Sequence, residues 1–357
     1  MGEASAPSFG VVSGAAVDEI LAGREPEVID LIERAYLLHG SGRTTNPPSY
    51  FLRFPDKPTA RIIALPASVR GDRRVDGIKW ISSYPGNLRT GIPRASAALL
   101  LNDPDNGYVY ACVESSIISA TRTAASAAVA VRHLLPRRTS AVRVGFVGTG
   151  LIARYVHRYL VALGLPLAGA GLYDLDEGYA RGFASHLAEA APGTTVRVHP
   201  TAESLVRDSD VVVFATTAAV PHVHDARWFA HAPLVLHLSL RDLAPELVLA
   251  GTNVVDDVDH VLKADTSVHL AEKLSGGRDF VHATLDGVIA GDRPPVPGRP
   301  VYFSPFGLGV LDLVLGDFVH REAVASGRIT TIPDFFHDMD RHRDPAGRPS
   351  PAGETAA

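Results

Sequence analysis

The segment Arg143-Val144-Gly145-Phe146-Val147-Gly148-Thr149-Gly150-Leu151-Ile152-Ala153 constrains this chain more than any other. An apolar strand runs directly into Gly-x-Gly-x-x-Ala, and a helical pattern follows from Leu151 to Leu163. Gly148 permits a tight turn, Gly150 lets the backbone approach a pyrophosphate, and Ala153 keeps the helix close to the strand. The helix N-terminus then holds the anion. Thr149, Leu151 and Ile152 are expected to complete this cofactor site. A second strand, Gly169–Asp174, ends in an acid 24 residues after Gly150, near the roughly 20 expected of a ribose-binding carboxylate. Asp174 would accept hydrogen bonds from a ribose 2′-OH and repel a 2′-phosphate. No arginine follows until Arg181. The expected cofactor is therefore NAD rather than NADP.

The alternation of strand and helix continues to about residue 306. Strands are predicted at Arg143–Gly148, Gly169–Asp174, Thr195–His199, Asp210–Thr217, Leu234–Leu240, Asn253–Val258 and Pro300–Ser304, and helices at Leu151–Leu163, Glu177–Ala190 and Ala202–Arg207. Such a pattern implies a parallel sheet covered by helices on both faces. Residues 136–306 are thus read as a Rossmann dinucleotide-binding domain of the α/β class. Residues 1–135 read differently. A helix at Val28–His39 precedes short strands at Ser49–Phe54, Ala60–Pro66, Val75–Ser82, Ala97–Asn102 and Tyr108–Glu114, an antiparallel α+β pattern. A long helix, Ile117–Leu135, leads to a linker containing Arg137 and Arg138. An apolar helical stretch within 307–330 is expected to return to the first domain, and the polar, Pro/Gly-rich tail 338–357 is expected to be disordered.

Composition narrows the function classes. The chain has 357 residues, 46% hydrophobic and 20% charged, with net charge −5 and no basic run, so a nucleic-acid role has no support. No apolar stretch approaches the ~18 residues of a membrane span, and Met1 to Gly14 lacks the pattern of a signal peptide. A cytoplasmic enzyme is expected. The single cysteine, Cys112, lies in an alternating apolar run and reads as a small buried hydrophobe. His222 and His224 form a His-x-His pair, but no further ligands cluster with them, and no metal is expected. His260 and His269 read as helix-surface or capping residues.

The first domain also carries cations in unusual settings. Lys79 precedes the Tyr84-Pro85-Gly86-Asn87 turn, and Arg122 sits on an otherwise small, apolar helix with Thr123-Ala124-Ala125. Either alone fits a surface charge. Together with Arg53 they would make a positive pocket suited to carboxylates, with arginine binding bidentately and lysine as a point charge. Asp242, after the strand ending Leu238-Ser239-Leu240, lies at the ligand edge of the predicted parallel sheet. It reads either as a general base or as an acid in the first turn of a helix. Thr216, Thr217, Ser239 and Ser304, at strand ends on that edge, are candidate cofactor contacts.

Lys79 with Pro85-Gly86-Asn87, Arg122-Thr123-Ala124-Ala125, the Gly148-Thr149-Gly150 loop and Asp242 occur in an order that resembles the ornithine cyclodeaminase/mu-crystallin family. The resemblance spans roughly residues 15 to 330. Lys79-Trp80-Ile81-Ser82-Ser83, Ser239-Leu240-Arg241-Asp242-Leu243, Val254-Val255-Asp256-Asp257 and Phe303-Ser304-Pro305-Phe306-Gly307-Leu308-Gly309 are similar to its diaminopropionate-biosynthesis branch. Ornithine cyclodeaminases carry a lysine four residues after the catalytic aspartate, where this chain has Glu246. The resemblance implies Asp242 and Lys79 as catalytic groups and Arg53, Lys79 and Arg122 as substrate-binding. It implies a homodimer formed through the first domain, acting on a small amino-acid substrate. It further implies NAD-dependent oxidative hydrolysis of an N-(2-amino-2-carboxyethyl)-L-glutamate, supplying a siderophore or peptide-antibiotic pathway. An ornithine cyclodeaminase, a ketimine or opine-type reductase and a nucleotide-dependent binding protein are the alternatives. The Asp174 assignment is tested directly: Asp174→Ser should narrow a strong preference for NAD⁺ over NADP⁺ in steady-state kinetics. Equal use of both cofactors by the unaltered protein would contradict it.

Overall fold

Alternating side-chain burial between residues 44 and 114 builds the first of two sheets. The computed structural model describes residues 8–135, 141–190, 193–291 and 298–336. The linker residues Arg137 and Arg138 and the tail 338–357 lie outside them. The first sheet contains β1 (Phe9–Val12), β2 (Thr44–Thr45), β3 (Tyr50–Phe54), β4 (Lys57–Arg70), β5 (Arg74–Ser83), β6 (Ala95–Asn102) and β7 (Val109–Glu114). Strands β4 to β7 form an antiparallel meander, and β3 folds back on β4. Successive side chains point to opposite faces. Val75, Lys79 and Ser83 of β5 and Leu99 and Leu101 of β6 are therefore buried, while Trp80 faces out. The same period corrects the expectation for Cys112. Ala111 and Val113 enter the core, and Cys112 is half-buried on the opposite face.

β1 and β2 were not expected, because four- and two-residue segments carry too little alternation to detect. β1 pairs in parallel with β7, so the sheet is not purely antiparallel.

The second sheet contains β8 (Val142–Val147), β9 (Leu167–Tyr173), β10 (Val196–Val198), β11 (Val211–Phe214), β12 (Leu234–His237), β13 (Thr252–Val255), β14 (Val281–Thr284) and β15 (Val301–Ser304). Its order is β10-β9-β8-β11-β12-β15-β13-β14, and its neighbours pair in parallel. β11, β12, β13 and β15 are buried at every position, as strands covered on both faces must be. The order reverses between β8 and β11, so the glycine loop and Thr216 meet at the switch point where α/β sheets bind ligands. β14 was missed in the sequence. A last strand, β16 (Thr330–Ile332), pairs with β1 and returns the chain to the first sheet.

In chain order the helices are α1 (Gly14–Leu21), α2 (Glu25–Gly40), α3 (Ser116–Leu134), α4 (Leu151–Ala162), α5 (Glu177–Ala190), α6 (Ala202–Arg207), α7 (Pro245–Ala250), α8 (Val258–Val261), α9 (Ser267–Ser275), α10 (Leu285–Ala290) and α11 (Gly309–Ala325). Ala124, Ala125, Ala127, Ala128 and Ala130 make α3 small and buried nearly all round, so it packs closely on α2, α4 and α11 and ties the two sheets together. The strands of the first sheet come from residues 9–114 and 330–332, and those of the second from residues 142–304. The return of α11 is exacting. A Cβ on Gly316 would lie 1.9 Å from Leu99 Cδ2 of β6. Gly316→Ala should therefore destabilise the protein by about 1–3 kcal/mol through overpacking. Leu99→Ala should suppress most of that cost in a double-mutant cycle read by urea unfolding. Simple additivity would show that α11 does not seat on Leu99.

Candidate active site

The glycine loop has the geometry its sequence implies. Gly148 has φ +85°, and a Cβ there would lie 2.6 Å from the Ala215 carbonyl oxygen of the neighbouring strand; only glycine fits. Gly150 caps α4 with no side-chain cap, and nothing lies within 4 Å of where its Cβ would be. That leaves the first-turn N–H groups beside an open cradle that any side chain would fill, the form a pyrophosphate requires. Ala153 is buried against the sheet, and Leu151 is exposed at the helix start. Ile152 is partly buried against the core. Asp174 Oδ2 accepts from the backbone N–H (2.8 Å) and hydroxyl (2.9 Å) of Thr149. Thr149 thus fixes the Asp174 carboxylate on the loop.

Asp242 is fully buried, and it precedes α7 rather than lying in its first turn. The helix-start alternative is thereby removed. Its backbone carbonyl accepts from His222 and Val223. Its carboxylate accepts from the Thr216 hydroxyl at 2.5 Å and from the Ser239 hydroxyl. His222 Nε2 lies 3.1 Å from Oδ1, and the buried His237 Nε2 lies 3.3 Å from Oδ2. The Asp242 backbone nitrogen also lies 3.2 Å from His237 Nε2, and His237 Nδ1 reaches Ser304 Oγ at 3.3 Å. Burial alone would raise the pKa of this carboxyl. Hydrogen bonds from His222, His237 and Ser239, with the attraction of His237, outweigh burial and hold it well below the usual carboxylate range. The hydroxyls of Thr216, Ser239 and Ser304, residues expected at the cofactor, join this network. Thr217 is exposed at the same sheet edge. Leu240 has φ +68°, a costly conformation for a branched residue, and this turn places Arg241 beside Asp242.

A second buried charge centre lies on the first sheet. Lys79 is only 1% exposed, because it occupies an inward-facing position in the middle of β5. Its ammonium donates to Asp312 Oδ2 of α11 at 2.6 Å, with Ser119 Oγ at 3.5 Å. Arg122 Nε of α3 donates to the other oxygen of Asp312 at 3.3 Å. Burial lowers the Lys79 pKa to about 8, opposed by Asp312 and assisted by Arg122. The Arg122 guanidinium lies where a Cβ of Gly307 would be, 2.6 Å from its nearest nitrogen. Asp256 holds that loop by accepting from the N–H groups of Phe306 and Gly307 at 2.9 and 2.6 Å. Ser304, at the end of β15, begins the same loop. One line of contacts therefore runs from Asp242 through His237, Ser304, the 305–307 loop, Arg122 and Asp312 to Lys79.

Arg53 does not join Lys79 and Arg122. It is exposed on β3, its guanidinium 5.2 Å from the Phe51 ring centre, opposite Arg61. His260 is also placed differently from expectation. It is buried, not on a helix surface, and its ring meets Asp257, Asn46 and the Pro47 carbonyl. His269 lies in the first turn of α9, where its backbone N–H donates to the capping Thr266 hydroxyl. Among the described residues, no group of three or more His, Cys, Asp or Glu side chains could hold a metal. Asp312, Asp256 and His237 were missed in the sequence. Asp312 left a signal, a lone carboxylate inside the apolar run Leu308 to Leu315.

The model of the ornithine cyclodeaminase/mu-crystallin family matches residues 13–326. Alanine dehydrogenase of Archaeoglobus fulgidus is 27% identical over 84% of this chain and 91% of its own length. N-((2S)-2-amino-2-carboxyethyl)-L-glutamate dehydrogenase of Staphylococcus aureus is 26% identical over 85% of this chain and 92% of its own. Among solved structures, Thermococcus litoralis Δ1-pyrroline-2-carboxylate reductase in complex with NADH and L-proline superposes with a TM-score of 0.83 at 25% identity, covering 91% of this chain and 100% of that one. An archaeal alanine dehydrogenase dimer with bound NAD has a TM-score of 0.81 at 25% identity, covering 92% and 100%.

The Lys79–Asp312–Arg122 group yields a stability test. Asp312→Asn leaves two cations buried against an amide and should destabilise the protein by about 3–5 kcal/mol. Replacing Lys79 by Met in the same chain should restore a large part of that loss. Urea unfolding checks both, and a neutral Asp312→Asn would show that the carboxylate is not the counter-charge.

Proposed function

This chain belongs to the ornithine cyclodeaminase/mu-crystallin family, and we propose that it catalyses NAD-dependent oxidative hydrolysis of N-[(2S)-2-amino-2-carboxyethyl]-L-glutamate. The products are L-2,3-diaminopropionate and 2-oxoglutarate. The observation that carries this reading is the buried Lys79–Asp312–Arg122 group, in which two cations share one carboxylate. One positive charge is left for a substrate carboxylate, and it is connected to Asp242. The Staphylococcus aureus relative supports the choice of amine.

The chemistry balances as secondary amine plus NAD⁺ plus water giving ketone, primary amine, NADH and one proton. Bound NAD⁺ supplies a hydride acceptor for the glutamyl α-carbon. The protein's residues do the rest. Lys79 and Arg122 hold the α-carboxylate next to that carbon, which fixes the carbon in position for hydride transfer. Water adds to the imine carbon, and the C–N bond of the carbinolamine breaks as the nitrogen gains a proton. Asp242 is too well stabilised by its donors to be a strong base alone. His222, 42% exposed in its side chain and bonded to Asp242, completes an acid–base pair: the imidazole takes the water proton and returns it to the leaving nitrogen, while Asp242 orients the ring and steadies its charge.

The protein is placed in the cytoplasm as a homodimer in this reading, feeding a siderophore or peptide-antibiotic pathway. Tyr50, Leu52 and Trp80 are exposed on the outer face of the first sheet, an apolar patch of the kind that pairs with a second copy. The archaeal alanine dehydrogenase dimer supports that assembly. No helix among the described residues is long and apolar enough to cross a membrane.

The test is stoichiometric. NADH, 2-oxoglutarate and diaminopropionate should form in equal amounts from the glutamyl amine. Because burial lowers the Lys79 pKa to about 8, the cation is present below that pH and lost above it. The kcat/KM should therefore fall as pH rises through about 8, and Lys79→Met should abolish that limb. NADH formation from L-alanine and none from the glutamyl amine would place the chain with the alanine dehydrogenases instead.

A further inference from the structure

The inner face of the first sheet carries a second group of cations that the reaction above does not use. Arg61 of β4 stands directly across from Ser83 of β5 on one side and from Arg53 of β3 on the other. Ser83 and Lys79 are on the same strand and the same face, two alternations apart. At about 3.3 Å per residue, roughly 13 Å separates them. Arg94 donates to Ser83 Oγ at 2.8 Å, so its guanidinium comes to the same end of the sheet. From the second sheet comes Arg241, the neighbour of Asp242, tethered by a 2.6 Å hydrogen bond to the Ala264 carbonyl.

These arginines are short of partners. Among the described residues, no carboxylate lies within 4.0 Å of the side-chain nitrogens of Arg61, Arg94 or Arg241. All three are partly buried, and Arg61 Nε is buried with no hydrogen-bond partner at all. Burial lowers the Arg61 pKa, and repulsion from Arg241, Arg94 and Arg53 lowers it further. Burial does the same to Arg94 and Arg241, with Asp265 and Asp242 easing the charge of Arg241. Buried charges are retained when they are paired, so a convergent set of guanidinium groups without carboxylates is a site for an anion from outside the chain.

We propose that Arg61, Arg94 and Arg241 form a second carboxylate subsite, which takes the side-chain carboxylate of the glutamyl portion while Lys79 and Arg122 hold the α-carboxylate. The identity of that carboxylate rests on the proposed reaction. The subsite itself calls for any extended acidic substrate. It selects against alanine or a cyclic imino acid, each of which has a carboxylate at one end only. Arg53 stands at its exposed rim.

The test compares two keto acids that differ in the distal carboxylate. The protein with saturating NADH is titrated with 2-oxoglutarate and with 2-oxobutyrate by calorimetry. The unaltered chain should bind 2-oxoglutarate at least tenfold more tightly. Arg61→Leu and Arg94→Leu should each bring that ratio towards one without changing NADH affinity, and Arg61→Lys should keep part of it. Equal binding of both acids by the unaltered protein would overturn the subsite, and so would a ratio that survives in both leucine variants. A preference for 2-oxoglutarate that needs Arg61, in a protein that does not turn over the glutamyl amine, would uphold the subsite and remove the proposed reaction.

Discussion

The site depends on one buried interaction, the sharing of Asp312 by Lys79 and Arg122. It joins a strand of the first sheet, the long helix α3 and the returning helix α11, three elements far apart in sequence. A buried ion pair is weak evidence for stability, because desolvation of the charges offsets their attraction. What the group supplies is position. Lys79 has no water to turn towards, and Arg122 is pressed onto the Gly307 backbone, so neither cation can relax away from the other. Two cations and one carboxylate leave a net positive charge where a substrate carboxylate would be bound.

The second half of the site is organised by hydrogen bonds rather than by charge. Asp242 collects donors from the ends of β11 and β12 and from the segment carrying His222. Its neighbour Leu240 is held in the left-handed region, a strain that surrounding packing must maintain. The consequence is mechanistic. A carboxylate satisfied this fully keeps its charge and orients an imidazole, so in the proposed reaction acid–base work falls to the pair and not to Asp242 alone.

Much of the architecture was legible because it is written in periodicity. The helices Glu177–Ala190 and Ala202–Arg207 match their predicted bounds, and the apolar strands of the parallel sheet differ mainly at their ends. Gly148, Gly150 and Asp174 were readable because each meets a local requirement of a tight turn, a helix start or a strand end. What escaped was long-range. Nothing near Lys79 in the chain announces Asp312, which lies 233 residues away. The protein partners of the Thr216, Ser239 and Ser304 hydroxyls were illegible for the same reason, since a hydroxyl at a strand end serves a cofactor or a carboxylate equally well until the fold sets its neighbours. Arg61 and Arg94 look like ordinary surface charges in sequence, and only the register of β3, β4 and β5 brings them together.

The central claim is that the charge left over by Lys79, Asp312 and Arg122 seats the substrate α-carboxylate beside the glycine-loop cofactor. A crystal structure with NADH and 2-oxoglutarate measures this directly. The account predicts the α-carboxylate on Lys79 Nζ and the Arg122 guanidinium, with the keto carbon turned towards the nicotinamide and the Asp242–His222 pair. A keto acid bound with its α-carboxylate elsewhere, and Lys79 and Arg122 touching only Asp312, would contradict it.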